Sequence, residues 1–535
     1  MVGGDKSLTG AMRSAMKNRE TEAAWSYHNG TKHSYQSIRT NAHSLDWENQ
    51  PIPFKIYSSL DPIPLPRQLS SSKTPALAAI AAVTAPGEES DMPTSQTLAE
   101  ILFLSAGVTK RRSYPGGEML FRAAACTGAL YHIDLYLACG DLADLAAGVY
   151  HFSPHDFALR RLRSGDHRGA LVHASGEEPS IVSDPAILIC ASTYWRNAWK
   201  YQARAYRHCY WDNGTLLANL LAAAAARRLP AKVVLGFVDQ AVGDLLGLDA
   251  KREAPLSLVA LGHTMPNILA SAPTMEPLTL ATVPLSKREV DYPAMRAMQE
   301  ASSLASEEKV VAWRGDKNKE SGKREDESGK KERLIPLHPW SDAEMPQDTI
   351  AEVITRRGST RQFAREPIAF AQLSTMLDRA ARGIPTDFLN PGQSLNDLYL
   401  IVHAVDDLPA GAYYFRRDQR ALELLKEGDF RRDAGYLGLG QEIPADCSVN
   451  VYFLADLHPP LARLGNRGYR AAQLEASIMG GKLYLAAYAQ RLGASGLTFF
   501  DDDVTEFFSP HAAGKSVMFL IALGKSVKRK GLNVV

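Results

Sequence analysis

Two short segments hold side chains whose types and spacing suit chemistry. The first is Thr355-Arg356-Arg357-Gly358-Ser359-Thr360-Arg361-Gln362-Phe363. If the chain is extended from Arg357 onward, the period of two places Arg357, Ser359 and Arg361 on one side, a row of donors suited to a phosphate dianion. The second is Trp199-Lys200-Tyr201-Gln202-Ala203-Arg204, in which an amine stands beside a phenol. Either group can move a proton where burial or a neighbouring cation lowers its pKa. Each segment also has a plain structural reading: an Arg-rich helix end facing water, and a surface lysine beside a half-buried tyrosine. Lys525-Ser526-Val527-Lys528-Arg529-Lys530 near the C-terminus offers more cations, with Lys528 and Arg529 as further anion ligands or as part of a solvated basic tail.

Common signatures of other chemistries are absent. There is no Walker A sequence, no H-E-x-x-H, no G-x-S-x-G and no G-x-G-x-x-G. Fourteen histidines lack metal-ligand spacing, so no metal is expected. Five cysteines, none in a C-x-x-C pair, read as reduced thiols of a cytoplasmic protein. Sixty basic against fifty-nine acidic side chains leave a net charge of +1, no footprint for nucleic acid. The most apolar helical stretch, 213–229, is too short for a membrane span and is interrupted by Arg227 and Arg228. At 535 residues and 45% hydrophobic, the chain is long enough for several cores.

The elements that must position these residues come from an internal repeat. LYLACGDLADLAAGVYHF at 135–152 returns as LYLIVHAVDDLPAGAYYF at 398–415, an offset of 263 without a gap. The same offset aligns Arg204-Ala205-Tyr206-Arg207 with Arg467-Gly468-Tyr469-Arg470 and Phe237 with Phe500, and it slips by one where Gly262 matches Gly524. Each copy predicts a hairpin through Ala147-Gly148 or Ala410-Gly411, then a long Ala/Leu helix near 212–229 or 473–492. A last buried strand closes each copy, and each is an α+β unit. Between the copies, 306–333 mixes both charge signs with recurring glycine and reads as a solvated linker.

The ordered set Arg122-Ala-Ala-Ala-Cys-Thr-Gly-Ala-Leu-Tyr131, Leu135-Tyr136, Ala147-Gly148-Val149-Tyr150, Lys200-Tyr201, Tyr206-Arg207 and Gly236-Phe237-Val238-Asp239 resembles the nitroreductase-like flavoproteins. More narrowly it is similar to the SagB-type dehydrogenases, which include azoline oxidases of thiazole/oxazole-modified peptide pathways. The resemblance covers nearly all of 28–265 and, more weakly, 346–525. It implies two tandem FMN-binding α+β domains packed as an intramolecular pseudo-dimer, with each active site formed between copies. An Arg-x-Ser-x-Arg element that grips the FMN phosphate maps onto Arg357, Ser359 and Arg361. A Pro-Ser-Ala-Gly-type loop from the opposite copy maps onto Ala125 with Cys126, Thr127 and Gly128, Ala and Cys departing from Pro-Ser. Amides of the Gly-Phe turn, which meet the isoalloxazine, map onto Phe499 and Phe500 in the second copy. A catalytic Lys-Tyr pair maps onto Lys200 and Tyr201, and at the equivalent place the second copy has Arg463 and Leu464.

The resulting expectation is an FMN-dependent dehydrogenase removing hydride and proton from a heterocyclic or peptide-derived substrate, working with biosynthetic partner enzymes. An NAD(P)H-dependent nitro/quinone reductase and a flavin-free scaffold stand as alternatives. The expected layout is an N-terminal extension over 1–27, a first domain over 28–265, a connector over 266–345, a second domain over 346–527 and a basic tail over 528–535. One FMN per chain is expected, because the first copy offers only the apolar stretch 76–82 where the second offers arginines.

Overall fold

Ile133–Cys139 is buried at every position, and its side chains divide by the period of two. Leu135, Leu137 and Cys139 enter the main core, while Tyr136 and Ala138 join a second cluster with Ile187, Ile189 and Leu245. With both faces of its sheet covered, the strand shows no polar alternation in sequence. The computed structural model describes residues 17–68, 72–83, 92–114, 117–262, 275–315 and 333–527.

Two seven-stranded antiparallel sheets share one strand order. The first runs Pro62–Pro64, Ala158–Ser164, Gly148–Ser153, Ile133–Cys139, Ala186–Thr193, Glu253–Leu261, Ala231–Val234. The second runs Leu334–Pro336, Ala421–Glu427, Gly411–Arg416, Asp397–Val402, Val449–Ala455, Ser516–Gly524, Gly493–Leu497. The repeat extends to register: Leu137 lies opposite Tyr150 and, 263 positions on, Leu400 opposite Tyr413. A separate two-stranded ribbon pairs Val108–Tyr114 with Gly117–Arg122.

Two buried helices, Ala205–Ala226 and Arg467–Ala489, join the units. A Cβ on Gly214 would fall 1.8 Å from Ser477 Oγ, and one on Gly481 would fall 2.5 Å from the Ala218 Cβ. Gly214 and Ser477, like Ala218 and Gly481, are repeat mates, so the helices meet along a pseudo-twofold axis. Across it, Trp211 Nε1 donates to Gln473 Oε1 at 2.5 Å and Ser477 Oγ to Tyr210 O at 2.8 Å.

Each helix start is tied to the other unit through buried charge. Arg467 and Arg470 hold Asp239 at 2.7 and 2.8 Å, and Arg204 and Arg207 hold Asp501 at 3.0 and 2.6 Å. Burial alone would raise the Asp501 pKa, yet Arg204, Arg207 and the His33 amide hold it well below the usual carboxylate range. Asp239 is lowered in the same way by Arg467 and Arg470 against its burial.

Several sequence expectations need correction. Both long helices begin about two turns earlier than expected, because the Arg-x-Tyr-Arg segments expected to precede them are part of the helical run and find their counter-charges across the interface. The 1–27 boundary cuts the helix Glu22–Gly30, whose Ala24 and Tyr27 are buried. Asn18 of that segment donates to Leu464 O at 3.0 Å in the second unit. The 266–345 connector is largely part of the body: Pro293–Ala301 buries Met295 and Met298, and Leu334–Pro336 is an edge strand of the second sheet, ahead of the expected start at 346. The first part of the 306–333 linker is a docked helix, Glu307–Gly315, which buries Val310 and Trp313. Two apolar side chains among so many charges are enough to anchor it.

Removing either carboxylate strands two buried guanidinium groups. Asp239→Ala and Asp501→Ala should each cost about 3–5 kcal/mol, read from urea unfolding of the full chain. Because both native carboxylates are lowered, their stabilisation is complete above about pH 4, the unfolded-chain value, and declines as pH falls toward the native value. Asp501→Asn should flatten that acid limb.

Candidate active site between the two units

The helix Ile350–Arg356 starts at a capping box between Thr349 and Glu352, and the chain leaves it in extended form, Arg357 having φ −53° and ψ 143°. That turn sends Arg357 across to the first unit. Its Nε donates to Ala123 O at 2.9 Å and its Nη2 to Arg122 O at 3.2 Å. Lys110, on the ribbon, donates at 3.0 Å to the carbonyls of both Arg356 and Arg357. Burial lowers the Lys110 pKa, and the Arg357 charge lowers it further. Among the described residues no carboxylate pairs with Lys110, Arg357 or Arg361, so Lys110 and Arg357 lie together without an acid to balance them and Arg361, four residues on, adds a third unbalanced cation to the strip.

Ser359 and Arg361 are exposed on the same strip. Ser359 Oγ lies 3.2 Å from Tyr484 Oη, which accepts the Gly496 N–H at 2.6 Å. Thr360 N donates to Ala494 O at 2.8 Å, and Val527 N to Gln362 O at 3.1 Å, so the end of the described chain runs beside the strip. Lys528 and Arg529 lie outside the described residues.

The facing wall is the loop Ala123–Gly128 of the first unit. Asp212, in the first long helix, clamps it: Oδ1 accepts Thr127 N at 2.8 Å and Thr127 Oγ1 at 2.7 Å, and Oδ2 accepts the Cys126 thiol at 3.1 Å. His132 Nε2 lies 2.9 Å from Oδ2, with its Nδ1 2.8 Å from Ser192 Oγ. Cys126, His132 and Asp212 bring ligand-type atoms within 4.8 Å of one another. Burial and then Asp212 push the Cys126 thiol well up, which suits a protonated donor within this clamp rather than a thiolate ligand. Sequence reasoning missed Asp212, although an acid recurs 263 positions on. There Glu475 accepts Leu395 N at 2.8 Å and Ser394 Oγ at 2.5 Å, holding the equivalent loop.

Lys200 and Tyr201 end the helix Tyr194–Tyr201. The Tyr201 hydroxyl reaches the loop: a Cβ on Gly128, whose φ is +66°, would lie 2.8 Å from it. Burial raises the Tyr201 pKa, Asp212 and Cys126 raise it further, and Arg361 opposes them, which places Arg361 of one unit and Tyr201 of the other in a shared field. This phenol keeps its proton. Lys200 Nζ lies 5.4 Å from the centre of the Tyr201 ring, on the exposed side.

The strand Gly493–Leu497 leads into the cleft, and here the expected pairing of Phe237 with Phe500 is corrected. Arg467 stacks 4.6 Å from the Phe237 ring, and Arg204 stacks 5.4 Å from the ring of Phe499. The one-residue slip therefore falls within the turn itself, since three residues after the second strand replace four after the first. Phe499 is fully buried under Arg204, and the Phe500 amide is committed to Leu437 O at 2.9 Å. The residue left at the cleft is Thr498, whose Oγ1 is buried without a hydrogen-bond partner.

Residues 354–525 match the model of the Nitroreductase family. A protein of Methanocaldococcus jannaschii named as a nitroreductase is 27% identical over 170 residues, 32% of this chain and 81% of its own. A crystal structure from Anabaena variabilis, also named as a nitroreductase, superposes with a TM-score of 0.72 at 25% identity, covering 94% of this chain and 99% of that one. The likeness extends over both units and their pairing. The chain is thus two tandem nitroreductase-like α+β units packed as an intramolecular pseudo-dimer. No helix among the described residues is long and apolar enough to cross a membrane.

Gly128→Ala should cost about 1–2 kcal/mol from the left-handed backbone alone, with a further loss where the new methyl meets the Tyr201 hydroxyl. Combined with Tyr201→Phe the loss should be less than additive by about 0.5–3 kcal/mol in a thermal-unfolding cycle. Strict additivity would place the hydroxyl elsewhere.

Proposed function

We propose that the chain is an FMN-dependent oxidoreductase of SagB type, holding one flavin in the cleft between the units and oxidising a heterocyclic or peptide-derived substrate. The observation that carries this reading is the acid-free group of Lys110, Arg357 and Arg361 at one end of that cleft. A phosphate dianion supplies the charge such a group lacks. The buried, unpartnered Thr498 hydroxyl supports a polar ligand edge at the other end.

In this reading Arg357, Ser359, Arg361 and Lys110 hold the phosphate, with the Cys126–Gly128 loop and Thr498 bordering the ring. FMN, when bound, supplies the acceptor for two electrons. The Lys200 amine takes the proton that the substrate loses. Tyr201, which retains its own proton, donates a hydrogen bond and orients the reacting group. The names of the relatives matched in both comparisons favour a second reading, a nitro or quinone reductase driven by NAD(P)H. Flavin reduction by NAD(P)H faster than turnover would select it.

Purified full-length protein should be yellow, with one FMN per chain by absorbance. Replacing Arg357 and Arg361 with Ala removes two charge-assisted contacts worth roughly 1.5–3 kcal/mol each and should release the flavin. Lys200→Ala or Tyr201→Phe should lower turnover by about 10²–10⁴ with FMN content near wild type. A colourless wild-type protein that takes up no FMN would sink the proposal.

A further inference from the structure

The pseudo-twofold axis demands a second cleft, and the chain has closed it with its own side chains. The first strand end, Leu235-Gly236-Phe237, is equivalent to the Thr498 turn. Its amides are already taken: Asp387 of the second unit accepts Leu235 N at 2.8 Å and Gly236 N at 2.9 Å. At the position equivalent to Asp387, 263 residues earlier, the open cleft has Ala124, which carries no carboxylate.

The space beside those amides is filled by Trp313, from the docked helix of the linker. Its indole is 1% exposed, and a Cβ on Gly236 would meet the ring at 2.8 Å. The indole N–H donates at 2.9 Å to Leu464 O, and Leu464 is the repeat mate of Tyr201. Arg314 seals the rim, donating to Ser175 O at 2.7 Å and to Gly236 O at 3.3 Å, and pairing with Glu178 at 3.1 Å. At the phosphate end, Ala82 caps the helix Ala76–Ala81 where Arg357 caps Ile350–Arg356, and it has no charge to offer.

We propose that the linker helix is a built-in ligand, with Trp313 as the planar ring and Asp387 as the acceptor edge of a heteroaromatic pocket that evolved shut. Because the linker occurs once per chain, it can close only one of two equivalent clefts. That limit sets one cofactor per chain more firmly than the missing arginines do. The assignment rests on the open cleft being the flavin site. Without Trp313 the closed pocket should accept a flat aromatic ring lacking a phosphate.

The test uses full-length protein and indole as the probe. Trp313→Ala should bind one indole per chain and melt at higher temperature as indole is added, while wild type and Trp313→Phe bind none. If Trp313→Ala folds poorly, indole present during refolding should restore its yield. Folded Trp313→Ala that takes up no indole, or misfolded protein that indole does not recover while Trp313→Phe folds normally, would overturn the proposal. FMN content of the wild type is read separately, so a failed flavin assignment leaves the indole result interpretable.

Discussion

Two buried carboxylates, Asp239 and Asp501, govern the rest of the molecule. Each neutralises arginines at the start of the long helix of the other unit, and each opens a helix that directly follows a strand end at a cleft. Arg467 also donates to Leu235 O at 2.7 Å, fixing one strand end against the opposing helix. Two guanidinium groups around a single carboxylate would be costly in an apolar interior. Here the surplus donors are spent on carbonyls such as Leu235 O and His28 O. The clefts therefore exist only where the two units are locked together.

On that symmetric frame, small substitutions give the two clefts opposite fates. Arg357 against Ala82 and Tyr201 against Leu464 put the polar groups on the open side, and Ala124 against Asp387 leaves that side without the carboxylate that fills the other. The strand order is the same in both. Function is separated from fold by a handful of side chains and one short helix.

Much of this is legible in the sequence because the repeat keeps one offset from Leu135 to the end of the long helices: Leu137 and Tyr150 predict the register of Leu400 and Tyr413. The Arg-x-Ser-x-Arg strip and the Lys-Tyr pair are each local, and the structure brings them to one cleft. What the sequence conceals are residues whose partners are far away. Lys110 sits on an exposed ribbon and becomes meaningful only against the Arg357 carbonyl, 247 positions later. Trp313 lies among charges that read as solvent-facing, and a single large apolar side chain has no period by which to betray a docked helix. The slip at Thr498 hides in a turn where Phe-Phe imitates the expected aromatic, and only the stacking of Arg204 reveals which phenylalanine is equivalent.

The contact of Gly214 with Ser477 and of Ala218 with Gly481 has a consequence for how such a chain assembles. On a true dimer axis, a residue must fit a copy of itself. Once two copies share one chain, that demand disappears, and a bump on one helix can meet a hollow on the other. Two first units paired together would set Ala218 against Ala218, where a methyl now needs the bare glycine opposite it, and two second units would set Ser477 against Ser477 in space sized for glycine and serine. The seam is thus keyed: like halves repel at the axis and unlike halves fit, so a first unit takes a second unit as its partner and is steered away from pairing with another first unit.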